Sequence, residues 1–474
     1  MFFDISKAFD RVWHKGLLTK LKAAGISGDV LNWITDYLSN RRQRVILPGT
    51  ESDWIDISAG VPQGSILGPL LFLVYINDIV ADVDSSIRLF ADDTSLFLIV
   101  DHPVTTANLL NSDILRITQW AEQWLVSFNP IKTESLLISR KLLKPYHPPL
   151  VMLNQHILEV EQHKHLGLIL SNDGSWHSHI NLTVQKAWRR INIMRKLKFC
   201  IDRKSLETIY LSFVRPLIEY ADVVWDNCTS HDKQELDKIQ NEAARITTGA
   251  TKLVSIHLLC QEIGWESLES RRRHHKLILF YKMVNNLTPP YLSSLIPTTV
   301  GNTSTYNLRN ARDLSTVASR TALFSNSFLP SVVREWNNLP LETREADSLS
   351  SFKRHLRRNN YRPPKYYYIG KRKAQILHVR LRTNCSSLNH HLFQKNIIES
   401  PLCSCGSPET TQHYFFECVL YHDSRLELFN SISNYCTTTF ELILFGNPLL
   451  SDEANKTIFD AVHKFIIDHS KRFP

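Results

Sequence analysis

The sequence predicts a mixed protein of the α+β class, in which a sheet is backed by helices. Three observations support this prediction. A short apolar run, FFDI, is followed by apolar residues at helical spacing as far as Gly25. The apolar run from Ile66 to Ile79 is too long for a strand and predicts a buried helix. Two short apolar runs on either side of Asp92 and Asp93 predict a β-hairpin.

The intervening segments continue the alternation of helices and strands. Residues 28–41 predict a second helix, and residues 44–49 and 54–60 predict two short strands. An amphipathic helix is predicted over residues 105–127. Residues 128–139 then predict a strand that is entered through a turn containing Lys132.

Composition limits the class of protein. A chain of 474 residues with 43% hydrophobic residues predicts two or more globular domains. The net charge is +9, but residues 1–150 carry 14 Lys or Arg against 16 Asp or Glu, so the basic excess lies downstream. Such an excess indicates a polyanionic partner or a plain solvated surface. The sequence shows no run of about eighteen apolar residues and no signal-peptide pattern, so we expect an intracellular protein without a membrane partner.

Three aspartates predict a metal site. Asp4 ends a strand-like run, and Asp92 and Asp93 lie at a hairpin turn. Adjacent aspartates also occur as ordinary turn formers, and that alternative stays open for the pair alone. Converging carboxylates repel one another unless cations lie between them, and all-oxygen ligands favour Mg²⁺ or Mn²⁺.

A second metal site is predicted near the C-terminus. Cys403, Cys405, His413 and Cys418 have the spacing C-x-C-x7-H-x4-C. Three sulfurs and an imidazole so close together suit tetrahedral Zn²⁺ better than a disulfide in an intracellular chain.

Four motifs together resemble the reverse transcriptases of non-LTR (LINE-type) retrotransposons, especially jockey-like elements. The motifs are FFDISKAFD, PQGSILGPLLF, FADD and NPIKTE, and they occur in this order within residues 1 to about 140. The resemblance implies a right-hand polymerase fold whose palm is formed by these residues. It also implies an RNA-directed DNA polymerase that uses two Mg²⁺ or Mn²⁺ ions for nucleotidyl transfer. Asp4 and Asp92 would hold both ions, and Asp93 would be a weaker or orienting ligand.

The resemblance also assigns residues that contact the nucleotide. The carbonyl of Ile5 would contribute beside Asp4, and Phe9 would pack under the sugar and exclude a 2′-hydroxyl. Gln63 and Gly64 would let side chain and backbone approach the nucleotide. Lys132 would protonate or stabilise the departing pyrophosphate. Two plainer alternatives remain, a core aromatic at Phe9 and an ordinary surface lysine at position 132.

The same comparison implies a domain order. We expect a palm over residues 1–145, post-palm strands and a helical thumb over 146–250, and a post-thumb helical region over 251–350. A basic linker over 351–382 and a C-terminal region with a CCHC zinc knuckle over 383–474 would follow. In the thumb, the stretch AWRRINIMRKLKF predicts a helix with a basic face, whereas Leu236, Ile239, Ala243 and Ile246 form a core stripe.

The predicted linker and knuckle suit single-stranded nucleic acid. Residues 352–382 hold eleven Lys or Arg and no acid, and they include the aromatics Tyr366 to Tyr368. The knuckle would fold only around its metal and would present Tyr414, Phe415 or Phe416 to bases.

The sequence begins at the first catalytic motif, so we expect a fragment from which most of the fingers are missing. Its partners would be an RNA template, a DNA primer and dNTPs, and a functional protein would act in the nucleus. A different class of function is a catalytically inactive remnant that only binds nucleic acid. Intact carboxylates favour the enzyme, and the missing fingers favour the remnant.

Overall fold

The computed structural model describes residues 1–143, 146–303, 310–357 and 361–473. The chain divides into two compact units, Met1–Ser178 and the part from His179 onward. In the described residues, no helix is both long and apolar enough to cross a bilayer.

The first unit contains short strands and four of the helices that the structure describes. The strands are β1 (Phe2–Phe3), β2 (Arg41–Gln43), β3 (Ile46–Leu47), β4 (Thr50–Glu51), β5 (Ile55–Ile57), β6 (Ser86–Phe90), β7 (Asp93–Phe97), β8 (Glu134–Ser135), β9 (Val151–Met152), β10 (Gln155–His156), β11 (Leu158–Glu159), β12 (Gln162–His165) and β13 (Leu168–Ser171). The helices are α1 (His14–Ala23), α2 (Gly28–Leu38), α3 (Leu67–Ile76) and α4 (Pro103–Gln123).

A five-stranded sheet in the order β11-β8-β1-β7-β6 lies at the centre of the first unit. Strand β1 is antiparallel to both β7 and β8, whereas β11 runs parallel to β8. Strands β6 and β7 form the predicted hairpin, in which Phe90 pairs with Asp93. Helices α1, α3 and α4 contribute buried apolar residues to the same core as Phe3 and Leu96, so helices back the sheet as predicted.

The first helix begins later than the periodicity predicts. Residues 6–11 form turns, and α1 starts at His14. The carbonyls of Phe9 and Val12 accept hydrogen bonds from Val61 and Gly60, so they are not available to a helix. The predicted end is confirmed, because Gly25 follows the helix with φ 88°.

The long apolar run is helical, but it is not buried on every side. Helix α3 ends at Ile76 and continues as a 3-10 turn over Asn77–Val80. Leu71, Phe72 and Tyr75 are buried, whereas Leu70 and Leu73 are exposed. The prediction of a fully buried helix was therefore wrong for one face.

A buried lysine joins the helices of the first unit. Lys20 of α1 donates to the carbonyl of Tyr75 in α3 at 2.6 Å. Its ammonium also lies 3.8 Å from the ring centroid of Trp124, just after α4. The ammonium also forms an ion pair with Asp78. Because these partners compensate the charge, Lys20 can be buried to 8% exposure.

The boundary between the two units lies at Ser178, within the expected 146–250 domain. Leu158 and Glu159 pair with Glu134 and Ser135, so β11, which lies after residue 146, extends the five-stranded sheet. The expected division at residue 145 therefore separates strands that pair with each other.

The second unit is helical in its described residues. Its helices are α5 (His177–Leu197), α6 (Arg203–Ile209), α7 (Arg215–Ile218), α8 (Asp222–Trp225), α9 (Ser230–Thr248), α10 (Ile256–Ile263), α11 (Leu268–Val284), α12 (Pro290–Ser293), α13 (Val300–Thr303), α14 (Ala322–Ser325), α15 (Phe328–Asn337), α16 (Leu341–Arg344), α17 (Leu349–Leu356), α18 (Arg372–Arg382), α19 (Asn389–Phe393), α20 (His422–Ser433), α21 (Phe440–Phe445) and α22 (Asp452–Asp468). The predicted core stripe of α9 is buried.

The expected basic linker is an integral part of the second unit. Residues 358–360 lie outside the described residues, but Lys365–Tyr368 form a 3-10 turn and residues 372–382 form α18. Tyr366 and Tyr367 are buried. Arg372 donates to the carbonyls of Ile246 and Thr247, at the C-terminal end of α9. The assignment of residues 351–382 to a basic linker was therefore wrong for residues 372–382, where the side chains of Arg372, Arg380 and Arg382 donate to carbonyl groups of the chain itself.

Candidate functional site

The sheet register brings the two carboxylate motifs to one edge. Phe2 pairs with Ser95 and Phe3 pairs with Thr94, so Asp4 leaves β1 beside the start of β7. Asp93 is the first residue of β7, and Asp92 precedes it in the turn. The antiparallel pairing of β1 with β7 therefore places the two motifs at the same edge of the sheet, and the convergence of their carboxylates on metal ions remains a prediction.

The three carboxylates are accessible. Asp92 and Asp93 are exposed and Asp4 is half-buried. Among the described residues, none donates a hydrogen bond to these three side chains or forms an ion pair with them. They do not belong to a compact group of three or more potential metal ligands; in the described part of the chain only the cysteine and histidine cluster forms one. The nearby His165 has its pKa lowered by burial, and the charge of Asp93 acts in the opposite direction.

The backbone of Asp4 is held by the fourth motif. Its amide donates to the hydroxyl of Thr133 at 3.3 Å, and its carbonyl accepts from the amide of Asn129 at 2.9 Å. Thr133 is fully buried and donates in turn to the carbonyl of Asn129 at 2.9 Å. The sequence analysis missed both residues, although the Asn-Pro pair at 129–130 marked the turn that carries them.

The structure places two further predicted residues on this turn or beside it. Ile5 forms an isolated bridge with Phe128. Lys132 precedes Thr133, and its side chain is exposed. Lys132 is thus close to Asp4 along the backbone of the turn. Among the described residues its ammonium has no hydrogen-bond or ion-pair partner, so both the predicted catalytic role and that of a surface lysine stay open.

Phe9 lies where the first motif meets the second. Its carbonyl accepts from the amide of Val61 at 2.8 Å, and its ring stacks on Phe72 at a centroid distance of 4.6 Å. The ring is half-buried, so it has both a packing contact and an accessible part.

Gln63 and Gly64 follow Val61 on the same loop. The side-chain amide of Gln63 donates to Asp10 at 2.8 Å, a partner that the sequence analysis did not identify. Gly64 has φ 78°, and a Cβ there would have no neighbour within 4 Å. Glycine is therefore favoured at position 64 by the positive φ of the backbone, and not by a lack of space for a side chain. At Gly60 a Cβ would lie 2.7 Å from the carbonyl oxygen of Asp10, so close backbone packing requires glycine there.

The four predicted zinc ligands converge within the second unit. Their donor atoms all lie within 4.8 Å of one another. The sulfur of Cys418 lies 3.8 Å from that of Cys403 and 4.0 Å from that of Cys405. A tetrahedral ion with Zn–S bonds of about 2.3 Å requires sulfurs about 3.8 Å apart. The cluster can therefore bind zinc.

The surroundings of this cluster also suit a metal. His413 directs Nε2 toward Cys405 at 3.2 Å, and its Nδ1 lies 3.6 Å from the carboxylate of Glu417. A carboxylate behind the ligating imidazole is a common arrangement at zinc sites. Burial raises the pKa of the Cys418 thiol to about 12, whereas a backbone hydrogen bond from Ser407 lowers the pKa of the Cys405 thiol. A metal ion removes such thiol protons outright.

The expected aromatic surface of a zinc knuckle is absent at two positions. Tyr414 and Phe415 are fully buried, and both belong to a core that also contains Phe459 and Phe465 of α22. Because these two rings lie in a hydrophobic core, the expectation that they face bases was wrong, whereas the expectation that the region folds only around its metal remains a prediction.

Comparisons with known proteins agree with the motifs. Residues 1–170 match the family described as "Reverse transcriptase (RNA-dependent DNA polymerase)". The chain is 27% identical over 304 residues to the "Probable RNA-directed DNA polymerase from transposon BS" of Drosophila melanogaster, covering 59% of this chain and 33% of that protein. It is 30% identical over 260 residues to the corresponding X-element protein of the same species, covering 52% of this chain and 28% of that protein.

A third relative is the "RNA-directed DNA polymerase from mobile element jockey" of Drosophila funebris. It is 29% identical over 293 residues, which cover 58% of this chain and 31% of that protein. The matches span about a third of the length of these relatives. The four motifs and the sheet that carries them thus lie within the part of the chain that matches the reverse transcriptase family, and the chain is similar to the RNA-directed DNA polymerases of these mobile elements.

Proposed function

We propose that the chain is an RNA-directed DNA polymerase that extends a DNA primer with dNTPs along an RNA template. The observation that carries this proposal is the pairing of β1 with β7, which sets Asp4 beside Asp93. These side chains have no other described partners and remain available as ligands. The proposal places the protein in the nucleus, where a DNA primer is present.

We assign Asp4 and Asp92 as ligands of two Mg²⁺ or Mn²⁺ ions, with Asp93 as a weaker or orienting ligand. Carboxylate oxygens are the donors that these hard ions prefer. When bound, the ions supply Lewis-acid stabilisation of the attacking and leaving oxygens of the in-line displacement. The chain orients Asp4 through the hydrogen bonds of its backbone to Asn129 and Thr133.

The nucleotide would lie against the loop that joins the first two motifs. The half-buried ring of Phe9 is supported by Phe72 and would contact the sugar. Gln63, whose side chain is oriented by Asp10, would lie beside it, and the backbone of Ile5 and Gly64 would contact the same nucleotide. The ammonium of Lys132 would donate its proton to the departing pyrophosphate.

Primer extension on poly(A)–oligo(dT) with Mg²⁺ or Mn²⁺ tests the polymerase proposal. We expect extension by the wild type and none by the Asp92→Asn, Asp93→Asn double variant. Asp101→Asn is the control, because Asp101 is an exposed aspartate outside the motifs. Equal Mn²⁺ binding by the wild type and the double variant would exclude the assigned ligands. Binding of nucleic acid without any extension would favour the inactive remnant.

The proposed nucleic-acid grip lies on α5. Ala187, Ile191 and Met194 are buried, whereas Arg189 and Lys196 on the same helix are exposed. Exposed cations along one face suit a phosphate backbone, and their contribution to binding should weaken as salt increases.

We further propose that Cys403, Cys405, His413 and Cys418 hold a structural Zn²⁺. The single observation behind this assignment is the sulfur spacing of 3.8 to 4.0 Å. Four protein ligands fill the tetrahedral shell, so no position remains for a substrate. The zinc would therefore stabilise the fold around it and take no part in nucleotidyl transfer.

Metal analysis of the purified chain tests the zinc assignment. We expect one zinc per chain in the wild type and in Cys436→Ser, a cysteine outside the cluster, and loss of that zinc in Cys403→Ser. Chelation should lower the thermal midpoint of the second unit. A chain without zinc, or a Cys403→Ser variant that retains it, would refute the assignment.

A further inference from the structure

A cavity of about 750 Å³ lies in the second unit, apart from both proposed metal sites. Its walls come from α10 and the segment after it, from the segment before the 3-10 turn at residue 365, and from the ends of α18 and α21. A cavity of this size accommodates a nucleoside or a small aromatic ligand.

The cavity has a rigid aromatic wall. The indole of Trp265 stacks on Tyr210 at a centroid distance of 4.1 Å, and its Nε1 donates to Glu207 at 2.7 Å. Tyr367 lies deeper and carries the guanidinium of Arg382 3.8 Å from its ring centroid. These contacts fix the aromatic groups before any ligand binds, so little conformational entropy would be lost on binding.

The carboxylates of the wall are neutralised. Glu262 forms ion pairs with Arg203 at 2.6 Å and with Arg382 at 2.9 Å. Glu266 lies 2.6 Å from His274 and forms a further ion pair with Arg271. Because both carboxylates have cationic partners, the cavity does not present unpaired negative charge to an anionic ligand.

Two exposed aromatic rings line the cavity. Tyr361 is 55% exposed and Phe445 is 45% exposed, although both line the cavity. Arg362 follows Tyr361, is exposed and has no ion-pair partner in the described part of the chain. Rings that can stack on a base and a cation that can reach a phosphate are the two requirements for binding a single-stranded nucleotide.

We propose that this cavity binds an unpaired base of single-stranded nucleic acid, with the adjoining phosphate on Arg362. The proposal rests on the proposed function only in its choice of ligand, since a polymerase of this class handles single-stranded template. The sequence analysis assigned nucleic-acid binding to the whole basic segment, whereas this proposal assigns it to one cavity. Tyr366 and Tyr367 are too buried to stack on bases, whereas Tyr361 is accessible.

Fluorescence anisotropy with the full chain tests this inference. The probes are a labelled ten-residue oligodeoxythymidylate and a labelled abasic oligonucleotide of the same length. The variant is Tyr361→Ala with Phe445→Ala, and the control is Phe393→Ala, which removes a ring that is 42% exposed and does not line the cavity. Thermal midpoints verify that each variant is folded.

We expect the double variant to lose affinity for the base-bearing oligonucleotide on the order of tenfold and to bind the abasic one unchanged. The control should bind both as the wild type does. An equal loss of affinity for both oligonucleotides would overturn the proposal, and so would no loss for either. With no loss for either, the cavity would be left to another class of ligand, such as an apolar side chain of a protein partner. Primer extension is measured separately, so absence of polymerase activity with intact base-dependent binding would contradict only the proposed function.

Discussion

The amide of Asp4 donates to the hydroxyl of Thr133 across 129 positions of sequence. Thr133 is fully buried and also donates to the carbonyl of Asn129, whose amide binds the carbonyl of Asp4. The first and fourth motifs are therefore one structural unit. The position of a candidate metal ligand therefore depends on a hydroxyl group that holds its backbone.

Thr133→Val should lower the free energy of unfolding by about 1–2 kcal/mol, because it leaves the Asp4 amide without its partner at nearly constant side-chain volume. It should also slow primer extension, since Asp4 is then held less firmly. Thr133→Ser retains the hydroxyl and should recover most of both properties. Chemical denaturation and extension rates measure the effects, and equal behaviour of the Val and Ser variants would contradict the role of the hydroxyl.

Phe9→Ala should admit ribonucleotides, because it removes the ring that would contact the sugar. Its packing on Phe72 should also be lost, with a decrease in stability of about 2–4 kcal/mol for a half-buried ring. The measurement is the ratio of dNTP to rNTP incorporation in primer extension. Phe97→Ala, which removes an exposed ring at the end of β7, is the control. An unchanged ratio in the Phe9 variant would leave Phe9 as a core aromatic only.

Ala91 occupies the hairpin turn before Asp92 with φ 52°, a conformation that costs an L-residue about 1–2 kcal/mol. Ala91→Gly should relieve this strain, although the greater entropy of glycine in the unfolded chain cancels part of the gain. We therefore expect the free energy of unfolding to rise by about 0.5–1 kcal/mol. Ala23→Gly in the last turn of α1 should instead lower the free energy of unfolding. Denaturant midpoints test both, and a destabilised Ala91→Gly would show that the turn is not strained.

A buried histidine pair predicts loss of stability in acid. His378 Nε2 lies 3.0 Å from the carbonyl of Ile443 and must donate to it, so His378 Nδ1 accepts from His463 Nε2 at 3.1 Å. Burial lowers the pKa of His463 to about 4 and that of His378 well below its usual range, and the charge of Arg382 acts in the same direction.

The neutral forms are thus favoured in the folded state. Between about pH 6.5 and 4 the unfolded chain binds more protons than the folded chain does, so stability should fall as pH falls. The slope from each histidine is at most about 1.4 kcal/mol per pH unit. Denaturation at pH 7.5, 6 and 5 measures it, and His463→Gln should reduce the slope. The same slope in wild type and variant would exclude this pair as the cause.

The local motifs of the candidate sites could be predicted from sequence. The β6–β7 hairpin depends on neighbouring residues, and the four zinc ligands lie within sixteen positions, so spacing alone brought them together. Short-range geometry of this kind is encoded by residue type and order. The metal-binding and nucleotide-binding roles of Asp4, Asp92, Asp93 and Phe9 remain predictions.

Contacts between distant segments could be found only in the tertiary structure. Helix α1 begins late because Val61 and Gly60 bind the carbonyls of Phe9 and Val12. Thr133 is important because its hydroxyl accepts from the amide of Asp4, and Arg372 is half-buried because the open carbonyls at the end of α9 accept its hydrogen bonds. Charge pattern alone cannot distinguish an arginine that caps a distant helix from one that meets solvent or phosphate. The sequence by itself therefore determined the resemblance to a family and the local motifs, whereas packing between distant segments decided which cations and aromatic rings remain accessible, because burial depends on partners far away in the chain.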